Sequence, residues 1–211
     1  MKKYFWYIVC LVCIVCVVGI SMIVSAMAQK ANEGIVVSAH IKGAASPKAV
    51  LTEYSDFQCP ACGQFYPVVK KLMDTYGAEL QLEYKHFPLS TVHQHAIVAA
   101  KAAEAAGQQG QFWQMHDILF LHQRDWENAT NVEDLFTTYA GQIGLNVDQY
   151  KKDFHAPDIT TKIDADQKSG TAARIDSTPT FFINGEKISP NPVTYAEFQR
   201  LIEAAQQAGV N

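Results

Sequence analysis

AVLTEYSDFQCPAC, residues 49–62, carries two messages in fourteen positions. Ala49-Val50-Leu51-Thr52-Glu53-Tyr54 has the mix of β-branched, aliphatic and aromatic residues that makes a buried strand. Ser55-Asp56-Phe57-Gln58 then leads into Cys59-Pro60-Ala61-Cys62. Beyond it, apolar residues recur at Phe65, Val68, Val69, Leu72, Met73 and Tyr76, which is helical spacing, and Gly77 stands where a helix stops. Leu80-Gln81-Leu82-Glu83-Tyr84 alternates as a strand does and runs out at His86-Phe87-Pro88. The stretch is therefore a βαβ unit with a cysteine pair at the strand-to-helix turn.

Working outward, a short first strand is expected around Ile35–Ile41, in a region mixing Val and Ile with Gly and Ser. From about Thr91 to Ala173 the pattern is helical. Ile97 to Ala106 is nearly all strong helix formers, and Phe112, Met115 and Leu119 mark the next helix. Asn131–Ile143, Val147–Phe154 and Pro157–Ala173 follow, the last with proline in its first turn. Strand character returns at Thr180-Phe181-Phe182-Ile183. Asn184-Gly185 and Glu186-Lys187-Ile188 complete a hairpin signal, because both turn positions favour residues that tolerate positive φ. Thr194–Ala208 closes the chain as an amphipathic helix through Phe198, Leu201 and Ile202. The order is βαβ, a helical block, then ββα, an α/β class.

Two cysteines three apart on a first helical turn bring their sulfurs to one side. Cys59 falls where unsatisfied backbone N–H groups and the positive end of the helix dipole favour an anion, and the thiolate is the nucleophilic form. Pro60 suits the first turn, since its missing N–H has no partner to lose there. Cys62, one turn on, is placed to resolve a mixed disulfide at Cys59. A four-residue loop is too small to need closing for stability in a domain of this size, so chemistry explains the pair better. Half of a zinc site is the alternative; it would need His86, His93 or His95, and beyond residue 30 no second C-x-x-C exists.

Ser177-Thr178-Pro179-Thr180 stands immediately before the final hairpin, where a proline at a strand entrance removes a ladder donor. Cys-Pro-x-Cys after a core strand, a long helical insertion, and Thr-Pro before Phe-Phe-Ile-Asn-Gly together resemble the DsbA-like thiol–disulfide oxidoreductases. Tyr54 to Gln58 and Gln109-Gly110-Gln111-Phe112-Trp113 add to the likeness, which covers about Ala49 to Gly209. The resemblance implies a thioredoxin-like fold with an inserted helical subdomain at about 91–173. It implies a cis Thr178-Pro179 peptide beside the cysteines, and a Thr178 backbone that pairs with an extended substrate segment. It also makes Glu53, six residues before Cys59, the buried acid that relays a proton to or from Cys62. The competing reading of Glu53 is a strand-end carboxylate paired with Lys85. One departure matters: the best-known enzymes of this type carry His where this chain has Ala61, and losing a donor beside the thiolate makes the disulfide less oxidising.

None of the 21 acidic residues, but Lys2, Lys3 and Lys30 among the 17 basic ones, fall in the first thirty positions. The remainder is acidic, which argues against a nucleic-acid partner. Between Tyr4 and Met27 there is no charge; about 24 residues at 1.5 Å each reach roughly 36 Å, enough to cross a bilayer. Residues 1–30 are thus expected to be a single-pass anchor, or, through Ala26-Met27-Ala28, a cleavable signal, with 31–211 outside the cytoplasm. Cys10, Cys13 and Cys16 read as small apolar members of that run. His93 and His95 are expected to cap the alanine-rich helix, and Phe112, Trp113 and Trp126 to be core. The expected activity is an oxidase that introduces disulfides into unfolded or reduced exported proteins, recycled by a membrane redox partner. It needs no cofactor beyond a Cys59–Cys62 disulfide. The alternatives are a reductase or isomerase of the same fold, and a non-catalytic tethered binding module.

Overall fold

The computed structural model describes residues 39–208. The segment read as an anchor or signal, with Cys10, Cys13 and Cys16, lies outside them. Among the described residues no helix is long and apolar enough to cross a membrane.

Five strands form one mixed sheet in the order β1-β3-β2-β4-β5. They are β1 (His40–Gly43), β2 (Ala49–Ser55), β3 (Leu80–His86), β4 (Thr180–Ile183) and β5 (Glu186–Lys187). The first strand begins at His40, within and beyond the expected span, and 35–38 fall outside the described residues. β2 and β3 run parallel with Ala49 opposite Leu80, joined by α1 (Pro60–Tyr76). β4 returns antiparallel to β2, placing Phe181 beside Glu53 and Thr180 beside Tyr54. This is the thioredoxin-like arrangement expected from the element order.

Alternation along the strands decides what faces what. Ala49 and Leu51 of β2, Leu80 and Leu82 of β3 and Phe181 of β4 point to one face. There Val69, Leu72 and Met73 of α1 and Phe198 and Ile202 of α8 (Tyr195–Ala208) close over them as the main core. Glu53, two residues after Leu51, continues this inward row and is carried beneath α1. Tyr54 points the other way, packing with Phe87 and Ile175 and bonding Ser169 Oγ at 2.9 Å.

Between β3 and β4 come α2 (Ala96–Gly107), α3 (Phe112–Leu121), α4 (Gln123–Trp126), α5 (Val132–Gln142), α6 (Val147–Phe154) and α7 (Pro157–Ala172). The alanine-rich α2 lies at their centre, packed against α3, α5, α6 and α7. Its buried alanines at 99, 100, 102, 103, 105 and 106 are short enough to let four helices approach. The four-residue α4 was not visible in the apolar spacing. Phe112 and Trp126 are core as expected, and Trp126 satisfies its indole N–H on Leu119 O at 2.9 Å.

Two turns use backbone that side chains resist. Asn184 and Gly185 both have positive φ (52° and 83°), as the hairpin signal required, and Asn184 Oδ1 accepts from Val50 N at 2.9 Å, tying the turn to β2. Gly43 has φ 100°, and a Cβ there would lie 2.3 Å from Leu80 O. Gly43→Ala combines a backbone penalty with a clash against main chain, so it should destabilise the fold by about 1–3 kcal/mol, read as a lowered urea midpoint.

Candidate active site

Cys59 is the N-cap of α1 and its backbone is extended (φ −67°, ψ 121°), so the chain turns into the helix at the cysteine itself. Its N–H bonds Asp56 O at 3.0 Å and its carbonyl accepts from Gly63 N at 3.1 Å. Pro60 opens the helix, as its residue type favours. The Cys59 thiol, 7% exposed, donates to Thr178 O at 3.3 Å, while Cys62 is fully buried one turn below. The Thr178-Pro179 peptide is cis. Chain segments 119 residues apart thus meet at one sulfur.

The two sulfurs sit in opposite electrostatic surroundings. The Cys59 thiol is pulled down to about 5, first by the hydrogen bond that the Cys62 thiol offers its thiolate. The Thr178 side chain and the N–H groups of Cys62 and Ala61 add to this, against the cost of burial. Thr178 Oγ1 is buried without a hydrogen-bond partner among the described residues, so its hydroxyl is free to turn to that thiolate. The Cys62 thiol is pushed well up by burial, then by the Cys59 charge and by Glu53. Charge in the reduced pair therefore resides on the outer sulfur.

Glu53 is 3% exposed and its carboxyl is raised to about 7 by burial, with the Ser55 hydroxyl pulling the other way. The Lys85 pairing is corrected: neighbouring strand residues point to opposite faces, and Lys85 bonds Glu83 Oε1 at 3.1 Å instead. Glu53 instead borders a cavity of about 20 Å³, room for one water, walled also by Lys42, Tyr66, His116 and Asp117.

Several residues that hold the turn had no sequence signal. Asp56, fully buried, accepts from Gln58 N at 2.8 Å, Leu89 N at 2.9 Å and His93 Nδ1 at 2.7 Å. Gln123 of α4 donates to Phe57 O at 2.6 Å and Cys59 O at 2.9 Å, and its amide lies where a Cβ on Gly63 would be. Asn191 Nδ2 donates to Pro179 O at 2.6 Å, steadying the proline from the loop before α8. That loop and α8 flank an open groove lined by Pro190, Pro192, Val193 and Leu201. The expected capping by His93 and His95 is also corrected. Neither side chain caps α2: His93 serves Asp56, and the His95 N–H donates to Gln58 Oε1 at 2.6 Å. Nor do the histidines join the cysteines in a metal-type cluster among the described residues; His86 instead bonds Glu104.

A dithiol at a helix N-terminus, faced by a cis-proline loop on a β2α1β3 core, defines a thioredoxin-type site. The chain belongs to the thioredoxin family, whose model matches residues 36–204. Among curated proteins it is 37% identical over 148 residues to the Na(+)/H(+) antiporter NhaA 1 of Salinispora arenicola, covering 70% of this chain and 22% of that protein. It is 34% identical over 169 residues to NhaA 1 of Mycobacterium sp. (strain KMS), covering 79% and 27%. The chain thus spans about a quarter of the length of the curated relatives it matches. Among solved structures, α-DsbA1 of Wolbachia pipientis superposes with TM-score 0.72 at 19% identity, covering 84% of this chain and 96% of that one. BdbD of Bacillus subtilis gives 0.69 at 20% identity, covering 83% and 100%. A thioredoxin-like oxidoreductase from Silicibacter pomeroyi gives 0.67 at 24%, covering 80% and 92%. The fold is that of the DsbA-like proteins.

A carboxyl whose pKa rises on folding favours the native state while protonated, and that advantage is lost as pH climbs from about 4.5 through about 7. Glu53→Gln should therefore stabilise the reduced protein at pH 8 by on the order of 2–3 kcal/mol, a gain that fades below pH 5. Urea denaturation across that range checks it.

Proposed function

We propose that this chain is a thiol–disulfide oxidoreductase that works outside the cytoplasm and passes its Cys59–Cys62 disulfide to proteins bearing reduced cysteines. The observation that carries this reading is the split between the two sulfurs: Cys59 lowered to about 5 and Cys62 raised beneath it. A thiolate stabilised at Cys59 stabilises the reduced enzyme, and a low-pKa thiol is also the better leaving group.

The steps follow. A substrate thiolate attacks Cys59 Sγ of the disulfide; the S–S bond breaks and Cys62 leaves with the electron pair. Cys62 takes up a proton, for which Glu53, protonated over part of the neutral range, is the donor beneath it. A second substrate thiolate attacks the substrate's own sulfur in the mixed disulfide and expels Cys59 as a thiolate. The substrate loses two electrons and the enzyme gains them. A membrane redox partner then removes them, in keeping with the uncharged run between Tyr4 and Met27 that would hold the domain at a membrane. Thr178, whose carbonyl lies 3.3 Å from Cys59, is the backbone against which an extended substrate would lie, with Pro179 shaping that surface.

Ultraviolet thiolate absorbance should titrate Cys59 with a midpoint near 5. The reduced form should outlast the disulfide form in denaturant at neutral pH. That advantage is present above the ordinary thiol pKa, near 9, and is lost as pH falls through about 5. Cys62→Ser should trap Cys59-linked mixed disulfides with reduced, unfolded protein, and Cys59→Ala should abolish exchange. A reduction potential clearly above the roughly −270 mV of thioredoxin is expected. A value near it would overturn the oxidase direction in favour of the reductase that Ala61 allows.

A further inference from the structure

Away from the cysteines, three buried titratable side chains meet. His40 opens β1, His86 ends β3, and Glu104 comes from α2. Register places the first two together: His40 stands opposite Tyr84, and His86 is two residues on from Tyr84 along the same face. His40 Nε2 lies 2.7 Å and His86 Nε2 2.9 Å from the same Glu104 oxygen, Oε1. Exposure is 6% for His40 and 1% for each of the others.

Packing aims both imidazoles. The His40 ring stacks flat on Phe112, with centroids 3.3 Å apart and planes within 4°, and His86 is held edge-on by Tyr84 and Phe112. A carboxylate has two oxygens and about four lone-pair sites, so two independent hydrogen bonds have no need to converge on one oxygen. Two imidazole nitrogens and a carboxylate oxygen converging on one small buried volume are the disposition a shared cation needs.

Glu104 brings the cluster a buried carboxyl, within reach of both rings. Lys162, an ammonium whose charge reaches His40, is engaged by Asp166, which also accepts the His86 N–H at 3.2 Å. A cation that displaced the two Nε2 protons would find two imidazole lone pairs and a carboxylate oxygen around one point.

We infer that His40, His86 and Glu104 form a binding site for a divalent first-row transition ion, joining β1 and β3 to the helical block. An ion about 2.1 Å from each donor would see these separations at roughly 80–90°, the right-angled set of an octahedral or five-coordinate centre. Tetrahedral zinc would need the donors about 3.4 Å apart, a further half-ångström opening. Two imidazole nitrogens rule out magnesium and calcium as preferred occupants, since both favour all-oxygen shells. The site is independent of the dithiol chemistry.

The test uses tag-free full chain with all five cysteines changed to serine, so that no thiol competes. After chelator treatment it is titrated with Co²⁺, Ni²⁺, Zn²⁺ or Mg²⁺ alone, following thermal midpoint and bound metal. One equivalent of a transition ion should raise the midpoint saturably, and Mg²⁺ should not. His40→Phe, which keeps the stack on Phe112, and Glu104→Gln should each weaken binding by at least about tenfold. A second readout that needs no ligand variant is X-ray absorption of the same cysteine-free chain loaded with Zn²⁺, expected to show two imidazoles. Absence of a saturable shift, unchanged binding in both variants, or an imidazole-free shell would overturn the site and leave a hydrogen-bonded cluster.

Discussion

A negative charge held on Cys59, at the mouth of α1, is the interaction on which the chemistry depends. The helix start supplies N–H groups from Ala61 and Cys62, the buried Cys62 thiol supplies a further hydrogen bond, and Thr178 arrives from the far side. None of these alone stabilises a sulfur anion in a partly closed site; together they outweigh the cost of burial. The same charge makes the inner sulfur reluctant to ionise, so one electrostatic arrangement sets both roles.

Holding that arrangement is largely the task of the helical block. Gln123 fastens the carbonyls of Phe57 and Cys59, and Asp56 gathers the N–H groups of Gln58 and Leu89 with the His93 ring. Most of these anchors are buried hydrogen bonds to backbone, the kind whose loss leaves an unsatisfied group away from water. The insertion is thus part of the site's frame. Its alanine-rich centre lets the frame lie close to the sheet.

Glu53 lies where the core meets the cysteine pair. Strand alternation sends it inward with Leu51, and the fold accepts a carboxyl there by raising its pKa into the neutral range. A group that changes protonation near neutral pH under a sulfur that must gain and lose a proton is suited to pass that proton on.

Much of this was legible in the residues. Apolar spacing marked α1 and most of the later helices, Asn184-Gly185 marked the hairpin, and the cysteine spacing with Pro60 marked the reactive turn, because these are local patterns. The meeting of Thr178 with Cys59 was expected only through the family resemblance, while the choice of Glu83 over Glu53 by Lys85, the recruitment of His93 by Asp56, and the anchors Gln123 and Asn191 were not legible. Each is a contact between distant segments made by an ordinary polar residue with many possible partners. The joining of His40, His86 and Glu104 is of the same kind: three unremarkable positions until sheet register and one helix bring them together. The sequence by itself determined the elements, their order and the place of the cysteine pair at a helix start, since periodicity and turn chemistry are local. Only the tertiary structure decided what holds the charge on Cys59, because desolvation and long-range hydrogen bonds exist only once the chain has closed on itself.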